Sequence, residues 1–207
     1  MVESIPIVGG TKDLDSAKVE ILRPDFLLLD REENPKHFAD ASKFPVIATH
    51  VDSIPAMARE LRKLSLAFAL PSLSGLAERA ESLPKRVPPI KPPVLEWWRE
   101  PESASQYLYL IWRNPWMTVG RETFIGSVLS QLGISQAILP LGSKYPEIDL
   151  SAFSPKDTAL LFSTEPYPFA RHKEKLLSLG HASALVDGES FSWFGIRSLE
   201  FLESQLT

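Results

Sequence analysis

The chain has 207 residues, a formal net charge of −4 and a hydrophobic fraction of 44%, values that are ordinary for a globular protein. This length is enough to bury the core of one large domain or two small ones. The acidic balance and the lack of a lysine- or arginine-rich stripe predict that the protein does not bind nucleic acid. The absence of cysteine excludes disulfides, thiolate metal sites and a cysteine nucleophile.

Membrane and export signals are also missing from the printed sequence. No apolar run reaches the roughly 20 residues of a membrane-spanning helix. The first ten residues lack the basic start and the long apolar stretch of a signal peptide. As it stands, the sequence therefore predicts a cytoplasmic protein, whereas a chain whose natural start lies further upstream would be periplasmic or displayed at the cell surface.

Short apolar runs alternate with helical patterns in the first third of the chain. The spacing predicts two strands, at residues 26–30 and 45–49, and three helices, at residues 13–22, 34–43 and 53–64. Asp52 or Ser53 can cap the third helix, and Pro55 falls in its first turn, where proline is favoured. Strands that alternate with helices at this spacing predict βαβ units and a parallel sheet.

The middle of the chain is rich in proline. A helix is predicted over residues 73–83, and six prolines follow between Pro84 and Pro101. Because proline removes a donor from the ladder of a sheet, this segment is expected to lie outside both sheets. It divides the chain into an N-terminal lobe (1–70), a helical and proline-rich connector (71–105) and a C-terminal lobe (106–207).

The alternation resumes after the connector. Strands are predicted at residues 107–112, 137–139, 158–163 and 183–186, and helices at residues 121–132, 170–179 and 196–206, with a single helical turn at 149–153 and a loop at 187–195. Residues 14–35 and 148–169 share one plan, since each has a short helix, an apolar strand and then an acidic turn with proline. Two related lobes would form a cleft at the carboxyl ends of their strands.

Aromatic residues collect at the predicted carboxyl ends of the strands. They are Trp112, Trp116, Tyr167, Phe169, Phe191, Trp193 and Phe194. Each ring could be core filling, but together they are typical of the wall of a site for a large, partly flat ligand. Arg113 and Asn114 could hydrogen-bond the amides or carboxylates of such a ligand, although Arg113 could instead pair with a carboxylate such as Glu122 or Glu165.

Signals for other chemistry are weak. The four histidines show no metal-ligand spacing, so we expect no protein-built metal site and no built-in cofactor. Residues 8–10 lack the remaining glycines and the lysine of a phosphate-binding loop. An enzyme that uses the same cleft would employ Glu32, Glu33 or Glu165 as acid or base, and this is the alternative to a binding protein.

Four segments, in order, resemble a known family. They contain "RPDFLLLDREEN", "LIWRNPWMTVGRETFIGSVLSQLG", "YPEIDLSAFSPKDTALLFSTEPYPF" and "VDGESFSWFGIRSLEFL". They are similar to class III substrate-binding proteins of ABC importers, the helical-backbone metal receptors for vitamin B12 and ferric siderophores, and closest to the cobalamin-binding branch. The resemblance implies an α/β fold of two Rossmann-like lobes with parallel sheets, joined by the connector.

The resemblance also implies a function. The protein would be a non-enzymatic binding protein that holds cobalamin or another metal chelate in the cleft and works with an ABC permease. A ferric siderophore or a haem-type chelate is the alternative ligand, and an interaction module that has lost its ligand is a third hypothesis. The candidate ligand-binding residues are Trp112, Arg113, Asn114, Trp116, Tyr167, Phe169, Trp193, Phe194 and Glu32.

Two further expectations concern geometry and assembly. At least one of the indoles of Trp112 and Trp116 should face the cleft, with Trp193 nearby. Family members usually have another strand and helix before the segment that matches residues 6–15 here, so the N-terminal lobe is expected to expose a sheet edge. Since an unpaired edge invites association, a homodimer through this lobe is predicted.

Overall fold

The computed structural model describes residues 5–84, 91–134 and 143–206. The chain divides into two compact units, the first ending at His50 and the second beginning at Val51. The sequence placed residues 51–105 partly in the N-terminal lobe and partly in the connector, and their described part belongs to the second unit. No helix in the described part of the chain is both long enough and apolar enough to cross a membrane.

The first unit is a small βα arrangement. Its elements are helix α1 (Ser16–Leu22), strand β1 (Leu27–Asp30), helix α2 (Lys36–Asp40) and strand β2 (Val46–Thr49). The two strands pair in parallel, with Leu28 opposite Ile47. The Asp30 side chain shapes the acidic turn that follows β1, because its Oδ1 accepts hydrogen bonds from the backbone nitrogens of Glu32 and Glu33. The predicted strands and helices of this region are confirmed to within a few residues.

The second unit contains one six-stranded sheet and six helices among its described residues. The helices are α3 (Ile54–Phe68), α4 (Pro71–Ser82), α5 (Phe124–Gln131), α6 (Lys173–Leu177), α7 (Gly188–Ser192) and α8 (Ile196–Leu206). The strands are β3 (Glu96–Arg99), β4 (Gln106–Trp112), β5 (Trp116–Thr118), β6 (Glu147–Ile148), β7 (Thr158–Ser163) and β8 (Ser183–Val186). They lie in the order β3-β8-β7-β4-β5-β6.

The centre of this sheet is parallel and its margins are antiparallel. Strands β4, β7 and β8 run in parallel, so their carboxyl ends meet at one edge. Strands β3, β5 and β6 are added in antiparallel pairing at the two sides. Every residue of β7 is buried, as expected for a central strand with both faces covered. The α/β class predicted from the alternation is confirmed.

Alternating side chains of the central strands build a separate core on each face. One face carries Tyr109, Leu161, Ala184 and Val186, which pack with buried residues of α3, α4, α5, α7 and α8. The other face carries Leu108, Leu110, Leu160 and Phe162, which pack with Phe169 and Leu176. The sheet is therefore sandwiched between two layers, and the loops at its carboxyl edge are fixed from both sides.

The prediction that residues 84–101 lie outside both sheets is wrong for strand β3. This strand pairs with β8, with Trp97 opposite Ala184, immediately after Pro92 and Pro93. An edge strand needs only one side of its ladder, so nearby prolines do not exclude it. Its two indoles point to opposite faces, since Trp97 packs against one core and Trp98 against the other.

Three other segments differ from the sequence prediction or lie beyond the described residues. The "WRNPW" stretch is a hairpin between β4 and β5 rather than a corner leading directly into a helix. Helix α5 then starts at Phe124, capped by the Thr123 hydroxyl, which accepts from the Gly126 backbone nitrogen. Helix α7 occupies residues of the predicted loop 187–195. The predicted strand 137–139 falls outside the described residues.

Candidate functional site

The carboxyl ends of β4 and β7 carry a chain of aromatic contacts. Trp112 is the last residue of β4, and its ring meets that of Tyr167 edge-on, with the centroids 5.4 Å apart. Tyr167 follows β7 and lies 4.6 Å from the Phe169 ring. Trp112 is 40% exposed, Tyr167 is half-buried and Phe169 is fully buried, so the contacts run from the solvent into the core.

Trp116 belongs to the core side of this group. Its ring plane is within 4° of parallel to that of Phe169, at a centroid distance of 6.4 Å, and it also approaches Phe162. Trp116 comes from β5, on the far side of the hairpin, and it is half-buried. Trp116 therefore packs beneath the Phe169 ring and, through it, Tyr167. Of the two indoles of the hairpin, that of Trp112 is the more exposed.

The hairpin turn holds an arginine against Trp116. The guanidinium carbon of Arg113 lies 5.4 Å from the centroid of the Trp116 ring, a cation–π distance. The neighbouring Asn114 has a left-handed backbone (φ 64°), which asparagine tolerates better than most residues, so it suits this tight turn. The alternative pairing of Arg113 with Glu122 or Glu165 is not formed in the described ranges.

Glu165 instead joins the loops that follow β7 and β8. Its Oε1 accepts hydrogen bonds from Trp193 Nε1 at 2.6 Å and from Ser192 Oγ at 3.2 Å. Trp193 is 58% exposed, so this bond fixes an indole that is otherwise open to solvent. The two loops approach closely at Gly188, where an added Cβ atom would lie only 2.7 Å from Glu165 Cγ.

The remaining candidates lie apart from these two groups. Phe194 is exposed and meets Phe124, at the start of α5, edge-on at 5.9 Å. Glu32 belongs to the first unit, where its Oε1 is 3.2 Å from His50 Nε2, and both residues follow the ends of the parallel strands. In the described residues, no ring contact joins Trp193 to Trp112.

A buried phenol lies one layer below the carboxyl edge. Tyr109 donates a hydrogen bond to Ser163 Oγ at 3.2 Å, and its burial raises the pKa of the phenol well above its ordinary value. The ring therefore stays neutral and contributes to packing, against Phe191, rather than to charge. Among the described residues, no group of three or more histidine, aspartate or glutamate side chains is placed to hold a metal ion.

Sequence reasoning found the exposed rings of this edge but not what fixes them. The hydrogen bonds of Glu165 and the close approach of Gly188 connect loops that are more than 20 residues apart in the sequence. A partial signal exists, because Glu165 and Trp193 both follow predicted parallel strands, whose carboxyl ends meet at one edge. The site on the second unit therefore consists of Trp112 with its supporting rings, Arg113, and the pair of Glu165 and Trp193.

Comparison by sequence finds no matching family model and no matching curated protein. Comparison with solved structures finds binding proteins that align along nearly the whole chain. The periplasmic vitamin B12-binding protein BtuF of Vibrio cholerae is 15% identical, with a TM-score of 0.65, and the alignment covers 96% of this chain and 79% of that one.

Two further structures extend this likeness. The periplasmic heme-binding protein HutB of Vibrio cholerae is 15% identical, with a TM-score of 0.67 and coverage of 98% of this chain and 83% of that one. An ABC transporter substrate-binding protein from Listeria monocytogenes is 13% identical, with a TM-score of 0.66 and coverage of 94% and 80%. At these identities the likeness concerns the fold. The resemblance to class III substrate-binding proteins is thus confirmed at the level of fold.

Proposed function

We propose that this protein binds a large, partly flat metal chelate, with a corrinoid as the first candidate and a haem-type or ferric-siderophore chelate as the alternative. The observation that carries the proposal is the exposure of Trp112 and Trp193 at the edge where the parallel strands β4, β7 and β8 end. In open α/β sheets this edge is where ligands bind. Aromatic side chains there provide apolar, flat surface of the kind that a macrocyclic chelate covers.

The two exposed indoles are held in place before any ligand arrives. Trp112 leans edge-on against Tyr167, and Trp193 is tied to Glu165 by a 2.6 Å hydrogen bond. A side chain that is already ordered loses less conformational entropy on binding. Each ring that a ligand covers contributes roughly 1–3 kcal/mol, so the two indoles supply part of the binding free energy.

The fold comparisons support the class of ligand and of partner. The similar structures include a vitamin B12-binding protein, a heme-binding protein and an ABC transporter substrate-binding protein, which are binding proteins rather than enzymes. We therefore propose that the chain delivers its chelate to an ABC permease without changing it chemically. Because two of these similar proteins are described as periplasmic, a periplasmic or cell-surface location goes with this proposal.

The homodimer predicted from the sequence stays a prediction, and it concerns the first unit. Among the described residues, β1 and β2 form a sheet of two strands, and Leu28 of β1 is 51% exposed. Light scattering tests it directly, since a dimer doubles the mass of the particle. A mass equal to one chain across the accessible concentrations would contradict this prediction.

Titration of the purified protein with cyanocobalamin and with haemin tests the proposal. We expect one of the two to bind and Trp112→Ala to weaken that binding at least about tenfold, which corresponds to the loss of about 1.4 kcal/mol of ring contact. Leu66→Ala is the matched control, because Leu66 is 85% exposed on α3 and is not at the strand ends. Failure of these two chelates and of a ferric siderophore to bind, or unchanged binding by Trp112→Ala, would contradict the proposal.

A further inference from the structure

Arg113 differs from the other well-packed arginines of the described chain. Arg62 and Arg79 each bind a carboxylate in bidentate fashion, with Nε and Nη2 donating together to Glu81 and Glu203, at distances from 2.6 to 3.0 Å. The Nε of Arg113 is buried and has no hydrogen-bond partner. No carboxylate of the described ranges forms an ion pair with this guanidinium. The Arg113 guanidinium is thus held in place by packing, and no carboxylate of the described residues neutralises its charge.

Glu165, a carboxylate that the sequence offered as a partner for Arg113, binds other residues. Glu165 follows β7, the strand next to β4, but its Oε1 accepts from Trp193 and Ser192. The contact with Trp116 holds the guanidinium plane and satisfies none of its N–H donors. The buried Nε is out of the reach of a ligand, but a guanidinium whose charge no acceptor offsets is unfavourable, so an anion that meets its other N–H groups would be stabilised.

We infer that Arg113 binds an oxyanion carried by the ligand, and that the protein selects chelates that carry such a group over analogues that lack it. This inference rests on the proposed chelate-binding function and adds the charge of the ligand to it. A guanidinium offers parallel N–H donors that match the geometry of a carboxylate or a phosphate ester. Trp112 contacts Tyr167, and the Trp116 ring that carries the guanidinium stacks on the neighbouring Phe169, so a chelate that covers the exposed Trp112 indole brings its rim towards Arg113.

Two kinds of chelate present such a group in different ways. Haem carries propionate carboxylates on the rim of a flat ring, and its dimethyl ester has the same ring without the charge. Cobalamin has neutral amide side chains and a phosphodiester in its nucleotide loop, and cobinamide lacks that loop. Each chelate therefore has an analogue that lacks the anionic group, and the two pairs separate a carboxylate from a phosphodiester as the recognised anion.

The test is a titration of the parent protein, Arg113→Gln and Arg113→Lys with both pairs, in one buffer with the same mild detergent. We expect the parent to bind the charged member of one pair about tenfold or more tightly than its analogue, the size expected for a charge-assisted hydrogen bond. Arg113→Gln should reduce that preference to about twofold or less, while Arg113→Lys, which keeps the charge but not the fork, should retain part of it.

Thermal unfolding distinguishes a binding role from a structural one, because replacement of a structural arginine would lower the melting temperature. Both Arg113 variants should unfold within about 4 °C of the parent, because the side chain forms no ion pair in the described chain and loses at most its contact with Trp116. Equal binding of charged and neutral chelates by the parent, or an unchanged preference in Arg113→Gln, would overturn this inference and leave the chelate-binding proposal in place. Failure of the parent to bind any of the four chelates would overturn both.

Discussion

Trp112 and Trp116 occupy neighbouring positions of one hairpin, yet the structure predicts different consequences when each is replaced by alanine. Trp116 is half-buried and stacks on Phe169 while also approaching Phe162, so its removal leaves a gap in the core on that face of the sheet. Trp112 is 40% exposed and leans on Tyr167. The first replacement should therefore mainly reduce stability, and the second should mainly reduce ligand binding.

The magnitudes follow from burial. Replacement of a fully buried tryptophan by alanine costs about 3–5 kcal/mol, so half-burial of Trp116 suggests about 2 kcal/mol. For a chain of about 200 residues this lowers the melting temperature by roughly 4–8 °C. Trp112→Ala loses little more than one edge-on aromatic contact, worth about 1 kcal/mol, which corresponds to roughly 2–4 °C.

Thermal unfolding followed by circular dichroism measures both variants against the parent. Trp116→Phe is the control, because a smaller ring at the same position should recover much of the loss of Trp116→Ala. A larger drop in melting temperature for Trp112→Ala than for Trp116→Ala would refute the placement of the two indoles. Equal drops, with no recovery by Trp116→Phe, would show that stacking on Phe169 does not stabilise the hairpin.

Three other predictions concern residues outside that hairpin. Glu165→Ala frees the Trp193 indole and should weaken chelate binding roughly 2- to 10-fold in a titration, since an ordered side chain must then be fixed on binding. Gly188→Ala places a Cβ 2.7 Å from Glu165 Cγ and should destabilise the protein by about 1–3 kcal/mol in urea unfolding, whereas a neutral result would contradict the close approach of the two loops. The hydrogen bond from Arg79 lowers the pKa of the Glu203 carboxyl, so the stability that the pair contributes is present above the ordinary glutamate value of 4.5 and is lost as the pH falls below it. Glu203→Gln should therefore melt about 1–3 °C below the parent at pH 7 and level with it near pH 3, and a difference that does not depend on pH would exclude this origin.

The sequence predicts the parallel centre of the fold well, for a physical reason. The run "ALLF" at the centre of β7 is continuously apolar because both faces of the strand are covered, and such a run can be recognised in the sequence. The caps of α3 and α5 are equally local, since Ser53 and Thr123 each accept from a backbone nitrogen three residues ahead. The corresponding elements were all predicted close to their observed bounds.

The margins of the sheet were missed because their pairing is not local. Strand β3 has four residues and follows two prolines, and pairing with β8, almost 90 residues away, makes it a strand. Strand β5 has three residues, which is too short for a period of two to be read. Helix α7 is a single short turn after Asp187, with Ser190 donating back to that carboxylate.

Part of the composition of the candidate site follows from the sequence, and its organisation does not. The aromatic residues that follow β4 and β7 could be assigned to one edge of the sheet, since parallel neighbours end together. The hairpin returns Trp116 to the core and leaves Trp112 more exposed. The burial of Trp116 cannot be predicted from the sequence. The unpartnered Nε of Arg113 and the hydrogen bond between Glu165 and Trp193 likewise depend on tertiary packing, which the sequence does not reveal.

A crystal structure of the protein with the chelate that binds in titration would show directly where the ligand lies. We expect the macrocycle within about 4 Å of the Trp112 ring, at the carboxyl ends of β4 and β7. We also expect an anionic group of the ligand to accept a hydrogen bond from Arg113. A chelate bound at any other surface of the chain, with Trp112 still open to solvent, would contradict these expectations.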